Sequence, residues 1–224
     1  MKRKSPCGLC RNCATNQYID IYDFEVKKKY DLENYNLFKE IVVTKCTMCN
    51  FASENIFDFP AEKVRHIINS PKYQDVISYG YLSESKIQAS YIFEQYNPNE
   101  YEAYSILCLE TGDYEGFARS LNMAIVLKEK LMQKMRDFQN EVYGEMASEQ
   151  NFEKFYDLMN ISIKNNKANL CKVLKENKVS VFAKALLVET LIGLGFNEIA
   201  KNELEKIEDK LLQDLKEKLS ENLD

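Results

Sequence analysis

Two Cys-x-x-Cys turns constrain this chain more than any other feature. The first reads Cys7-Gly-Leu-Cys10, overlapped by Cys10-Arg-Asn-Cys13, and the second reads Cys46-Thr-Met-Cys49 after a spacer of 35 residues from Cys10. Two residues between cysteines let both sulfurs of a tight turn face one point, so two such turns supply the four thiolates of a tetrahedral site. Five of the seven cysteines fall in these two clusters. Cys10 is a ligand in either register of the first cluster, and either Cys7 or Cys13 completes the pair. On the far side Cys46 and Cys49 are the candidates, and Asn50 tolerates the left-handed conformation that such turns often require. The expected metal site is therefore four of Cys7, Cys10, Cys13, Cys46 and Cys49, holding one structural zinc per chain. Iron in a rubredoxin-like site is the competing metal, because tetrahedral sulfur ligation suits both.

Other uses of the cysteines fit less well. The chain opens Met-Lys-Arg-Lys-Ser-Pro with no apolar stretch resembling a signal peptide, so a reducing, cytoplasmic setting is expected and a disulfide framework is not. A redox-active Cys-x-x-Cys belongs at a helix N-terminus after a strand of a βαβ unit, and no such pattern surrounds these. Four thiolates on a divalent ion carry a net charge of about −2, which backbone N–H groups and nearby Lys45 or Arg11 would offset. Cys108 and Cys171 sit in apolar helical contexts and read as small core residues.

The first 59 residues read as a small β-module. Gln17 to Val26 is an expected strand, and Phe38 to Lys45, centred on Ile41-Val-Val-Thr44, is a second that runs straight into the Cys46 turn. Short strands of this kind bury too little surface to stand alone, which is a further reason to expect a metal. From Pro60 to Asp224 the pattern is helical. Pro60 opens a helix with Val64, Ile67 and Ile68 on one face, Ser70-Pro71 starts another, Ser83 to Tyr96 follows, and Asn97-Pro98 opens the next. Only four prolines and seven glycines punctuate the chain, which favours long regular elements.

Two helix pairs resemble each other. Tyr101 to Glu110 leads through Thr111-Gly-Asp-Tyr114 into a long helix with Phe117, Leu121, Ala124 and Ile125. Val181 to Leu194 leads through Gly195-Phe-Asn-Glu198 into an expected single helix carrying Ile199, Ala200, Leu204, Ile207, Leu211, Leu215 and Leu219. Each turn holds a Gly and an aromatic residue, as in tetratricopeptide helix pairs. The turns lie 83 residues apart, so a 34-residue period is not sustained. The expected fold is α+β, mostly α: a zinc-ribbon-like module over 1–59, then antiparallel helix pairs forming a tetratricopeptide-like α-α superhelix over 60–224.

The stretch Asn36-Leu-Phe-Lys-Glu-Ile-Val-Val-Thr-Lys-Cys46-Thr-Met-Cys49-Asn-Phe-Ala52 resembles the bacterial family catalogued as domain of unknown function 2225. There a lead-in containing Asn and Phe precedes a Cys-Pro-x-Cys-Gly-Tyr-Ala knuckle, another Cys-x-x-Cys lies near the start, and tetratricopeptide-like helices follow. The resemblance spans nearly the whole chain. It implies Cys46 and Cys49 as ligands, with their partners drawn from Cys7, Cys10 and Cys13, and it implies no particular activity.

Composition narrows the function further. No apolar run approaches the roughly 20 residues of a membrane span. Residues 1 to 59 carry nine Lys or Arg against eight Asp or Glu, and residues 60 to 224 carry 21 against 27, far from the basic stripe of a typical nucleic-acid binder. The single histidine, His66, sits in a predicted helix, and no Gly-rich phosphate loop, nucleophile elbow or His-Glu-x-x-His motif occurs. Glu198, Glu203, Glu205, Glu208, Asp209 and Asp214 read as a solvated face interleaved with lysines. The expectation is a non-enzymatic protein whose helices hold a protein or peptide partner, with Tyr91, Tyr104, Asn122 and Tyr156 as candidates for that face. A nucleic-acid-associated ribbon using Lys2, Arg3, Lys4, Arg11 and Lys27 to Lys29 is the alternative, and an enzyme with a cleft among the helices comes third.

Overall fold

Between Ser53 and Ala61 the chain passes from short strands to helices. The structure, a computed structural model, describes residues 5–10, 13–14, 43–46, 48–54, 61–77, 97–143, 150–207, 213–221 and 223. Strands β1 (Ser5–Pro6) and β2 (Cys13–Ala14) pair antiparallel, and so do β3 (Thr44–Lys45) and β4 (Ala52–Ser53), as two separate hairpins. Of the expected strand from Phe38 to Lys45, only its end is described, and there it pairs Thr44 with Ser53 and Lys45 with Ala52. The expected strand at Gln17 to Val26, the expected helix at Ser83 to Tyr96 with Tyr91, and the basic residues Lys2, Arg3, Lys4, Arg11 and Lys27 to Lys29 lie outside the described residues.

Eight helices follow among the described residues: α1 (Ala61–Ile68), α2 (Pro71–Ile77), α3 (Pro98–Thr111), α4 (Tyr114–Tyr143), α5 (Gln150–Glu176), α6 (Val181–Gly193), α7 (Asn197–Glu205) and α8 (Gln213–Ser220). Their starts are chemically marked. Ser70 Oγ accepts from the Tyr73 N–H at 3.3 Å just before Pro71, Asn97 Oδ1 accepts from the Asn99 N–H at 3.1 Å just before Pro98, and Ser180 Oγ accepts from the Ala183 N–H at 3.2 Å. Each cap satisfies a backbone donor that the helix itself cannot. The ends of α3 and α6 are marked as well. Gly112 (φ 82°) and Gly195 (φ 79°) adopt the left-handed conformation, and the N–H of the next residue reaches back to Cys108 at 2.8 Å and to Leu191 at 2.9 Å, the hydrogen-bond pattern of a glycine-terminated helix.

Packing runs along the chain. α1, α2 and β4 lie on α3, α3 on α4, α4 on α5, α5 on α6 and α6 on α7, while α8 folds back against α6 and α7. Neighbour-to-neighbour stacking of this kind is what helical hairpin arrays do. It also accounts for the missing 34-residue period: the 83 residues between the two glycine turns hold α4 and α5, of 30 and 27 residues, about twice the helix length that such a repeat accommodates. The expected single helix from Ile199 to Leu219 is instead two, since α7 ends at Glu205 and α8 begins at Gln213. Leu219 and Leu223, beyond the break, are buried.

The core contains Phe117, Leu121, Leu127, Leu131 and Met135 of α4, Met159 and Leu170 of α5, and Ala183, Leu186, Leu187, Val188 and Leu191 of α6. Cys108 and Cys171 are buried within it, as expected. Set among these apolar side chains is a buried charged cluster. Lys128 is wholly buried and donates to Glu102 Oε1 and, at 2.6 Å, to Ser162 Oγ, and Asn166 Nδ2 donates to the same Glu102 oxygen. This cluster ties α3, α4 and α5 at one point. Removing one partner of a buried pair leaves the other charge uncompensated, whereas replacing both leaves none. Lys128→Ala is therefore expected to cost about 3–5 kcal/mol of stability, and the double change Lys128→Met, Glu102→Gln much less. Urea denaturation midpoints measure both, and equal losses would show that side-chain volume sets the cost.

Candidate metal centre

Each β-hairpin carries a Cys-x-x-Cys turn at its tip. The second is the more fully determined. The Asn50 N–H donates to the Cys46 carbonyl and the Cys46 N–H donates to the Phe51 carbonyl, each at 2.9 Å. Asn50 takes φ 59°, the left-handed conformation anticipated for it, and among the described residues no other non-glycine residue has a positive φ. The turn closes by that conformation, which places Cys46 and Cys49 on one side and leaves Met48 exposed at its tip. In the first turn Leu9 is buried and Gly8 exposed.

The two turns bring four sulfurs together. Those of Cys7, Cys10, Cys46 and Cys49 all lie within 4.8 Å of one another, with Cys7 to Cys49 at 3.9 Å and Cys10 to Cys46 at 3.6 Å. A tetrahedral metal with bonds to sulfur of about 2.3 Å sets its sulfurs about 3.8 Å apart, so the two cross-hairpin distances bracket the value that such an ion needs. All four cysteines are free thiols, and a disulfide would bring its sulfurs to about 2.05 Å. Cys7 and Cys46 are buried, Cys10 and Cys49 half-buried. Of the five candidate cysteines, four thus meet. The fifth, Cys13, has its backbone in β2 opposite Pro6, and its side chain lies outside the described residues.

Electrostatics explains why such a cluster wants a cation. Burial pushes the Cys7 thiol above its ordinary pKa against the opposing backbone N–H groups of Cys10 and Leu9, and the neighbouring Cys46 raises it further. Burial likewise raises Cys49 above the ordinary thiol range, against the N–H of Phe51. The N–H groups aimed at the sulfurs favour thiolate, yet crowding and burial outweigh them in the metal-free protein. A divalent cation reverses the balance, because a coordinating thiol is deprotonated outright.

Helices surround the centre with contacts that sequence reading did not foresee. The Tyr73 hydroxyl of α2 donates to the Asn50 carbonyl and accepts from the Ala52 N–H, both at 2.9 Å. Lys45 lies 3.8 Å from Glu100 of α3, Arg119 of α4 lies 3.4 Å from Glu54, and Arg65 of α1 reaches the Leu9 carbonyl at 3.5 Å. Tyr73 and Ile77 mark an apolar face of α2 in the sequence, but nothing local says where a tyrosine hydroxyl will end up. Lys45, expected to offset thiolate charge, is thus the ion-pair partner of Glu100. His66 is exposed on α1. Of the proposed partner-face residues, Tyr104 is packed against the core, and Tyr156 stacks edge-on to Phe155 with the Arg136 guanidinium 5.4 Å from its ring centre and its hydroxyl 3.1 Å from Gln139. Asn122 is half-buried on α4. Among the described residues no helix is long and apolar enough to cross a membrane. Comparison with protein-family models, curated proteins and solved structures finds no match for the chain.

Glu100 yields a pH prediction. Its side chain is 1% exposed, accepts from Asn97 Nδ2 at 3.2 Å, and has its pKa pushed up to about 7 by burial, with Lys45 pulling the other way. A carboxyl whose folded-state pKa is raised favours the folded protein most below its unfolded pKa, and that contribution fades as pH rises through about 7. Glu100→Gln removes the dependence. Between pH 5 and 8 the wild type is expected to lose up to about 3 kcal/mol relative to the variant, read as the difference between their denaturation midpoints at each pH. A difference that stays flat would mean that Glu100 is ionised throughout.

Proposed function

We propose that this chain is a non-enzymatic zinc-binding protein in which Cys7, Cys10, Cys46 and Cys49 hold one structural zinc ion, and whose helices bind a protein or peptide partner. The observation that carries the metal reading is the convergence of four free sulfurs from two hairpins within 4.8 Å. Zinc suits this donor set because it takes four thiolates tetrahedrally and has no redox chemistry of its own to require control. Four protein ligands leave no open position for substrate, so the ion's task is to hold the hairpins together. The second hairpin's strands of two residues each are too short to do so by pairing alone.

The partner reading draws on the helical stack. Helices that pack chiefly against their neighbours in the chain expose long continuous faces, the surface on which such arrays take extended or helical segments. The resemblance of the Cys46 region to domain of unknown function 2225 agrees with a metal module joined to helices, and membership in that family is part of this proposal.

Metal analysis of chain purified without chelator tests the first half. We expect about one zinc per chain, lost in the double variant Cys46→Ser, Cys49→Ser. Hydrogen exchange should then quicken over residues 43 to 54 while α4 to α6 stay protected. A wild type free of metal, or one purified with iron, would defeat the zinc assignment. For the second half, displayed peptides selected on the metal-loaded chain should converge on one motif, and a selection that converges on none would remove the support for partner capture.

A further inference from the structure

The three residues Asn50-Phe51-Ala52 stand between the cysteines and helix α2. Phe51, in the middle, turns its carbonyl toward the cysteines, accepting from the Cys46 N–H at 2.9 Å. The backbone groups on either side of it both go to a single atom. Tyr73 Oη donates to the Asn50 carbonyl at 2.9 Å and accepts from the Ala52 N–H at 2.9 Å. Tyr73 itself is completely buried, with 0% exposure, so its hydroxyl cannot exchange these partners for water. Its position along α2 is set by the Ser70 cap, which takes the Tyr73 N–H.

We infer that Tyr73 is a positioning residue for the metal centre: by gripping Asn50 and Ala52 it fixes Phe51, whose carbonyl holds the Cys46 N–H, and so sets where the second Cys-x-x-Cys turn carries its sulfurs. The inference rests on the metal reading above and adds to it the part of the helical domain that sets how tightly the metal is held. Outer groups that orient ligands govern affinity as well as geometry. The turn closes through the left-handed Asn50, and the Tyr73 hydroxyl holds the carbonyl of that same residue. The two turns differ in this respect. At the first turn Arg65 of α1 reaches the Leu9 carbonyl at 3.5 Å, the long limit of a hydrogen bond. The second turn is therefore the one that α2 sets. Because affinities that depend on one another do so in both directions, whatever displaces α2 also loosens the metal, and metal loss frees α2.

Tyr73→Phe removes the hydroxyl and keeps the ring. Zinc affinity, measured by competition with a chromophoric chelator on the full chain, is expected to fall roughly 10- to 100-fold. The ligand-field bands of the Co2+-loaded variant should shift or weaken relative to wild type, a change that a loss of stability alone does not produce. Ile77→Val, which trims one buried methyl from the same helix and leaves the Tyr73 hydroxyl in its place, and Tyr104→Phe, which removes a tyrosine hydroxyl from α3 instead, should both stay near wild type in affinity and spectrum. Circular dichroism confirms that each variant is folded. Wild-type affinity and spectrum in Tyr73→Phe, with zinc bound normally by the parent chain, would overturn the role of Tyr73 and leave the metal centre standing. A parent chain that takes up no zinc would overturn both. An affinity loss shared equally by Ile77→Val would reduce Tyr73 to a packing residue.

Discussion

Four thiols meeting in one partly buried corner is the interaction on which the N-terminal part of this protein depends. Burial and mutual repulsion resist ionisation there, as the raised Cys7 and Cys49 show, and a divalent cation is what turns the same crowding into attraction. Everything nearby is arranged to suit that exchange. The second hairpin is reduced to two-residue strands, and its turn is closed by backbone hydrogen bonds on both sides of Cys46. The left-handed Asn50 lets a six-residue stretch from Cys46 to Phe51 double back on itself.

The metal corner is also continuous with the helices. Buried residues of both hairpins, including Cys7, Val43, Cys46 and Phe51, belong to the same apolar cluster as α1 to α6. Polar contacts reinforce this at Tyr73 and Lys45. The start of α3 is the busiest point of the junction, with Asn97, Asn99, Glu100 and Glu102 all buried in or just before its first turns. Two of these are acids, and their partners differ. Glu102 lies against Lys128 and Asn166, whereas Glu100, with Lys45 at 3.8 Å, has its carboxyl raised to about 7.

Much of the helical part was legible in local chemistry. Ser70-Pro71, Asn97-Pro98, Gly112 and Gly195 each mark a helix boundary that the structure places within a residue or two, because caps, proline and left-handed glycine act through contacts only a few residues long. The faces Val64, Ile67, Ile68 and Phe117, Leu121, Ala124, Ile125 are buried as their spacing requires. Local pattern misled between Ile199 and Leu219, where an unbroken heptad-like run of Leu and Ile is split into α7 and α8. Periodicity records which residues want burial, and a helix that must turn back onto α6 satisfies the same wants with a break in it.

The metal corner divides along the same line. The sequence by itself determined the ligand chemistry, the two tight turns and the left-handed residue that closes the second, since each of these is settled within a few bonds of a cysteine. Tertiary structure decided that the sulfur of Cys7 meets those of Cys10, Cys46 and Cys49, that Tyr73 braces a turn 21 to 23 residues before it, and that Glu102 finds Lys128 26 residues on. Contacts of that reach depend on how whole elements come to lie against one another, and side chains distant in sequence carry no local mark of whom they will touch.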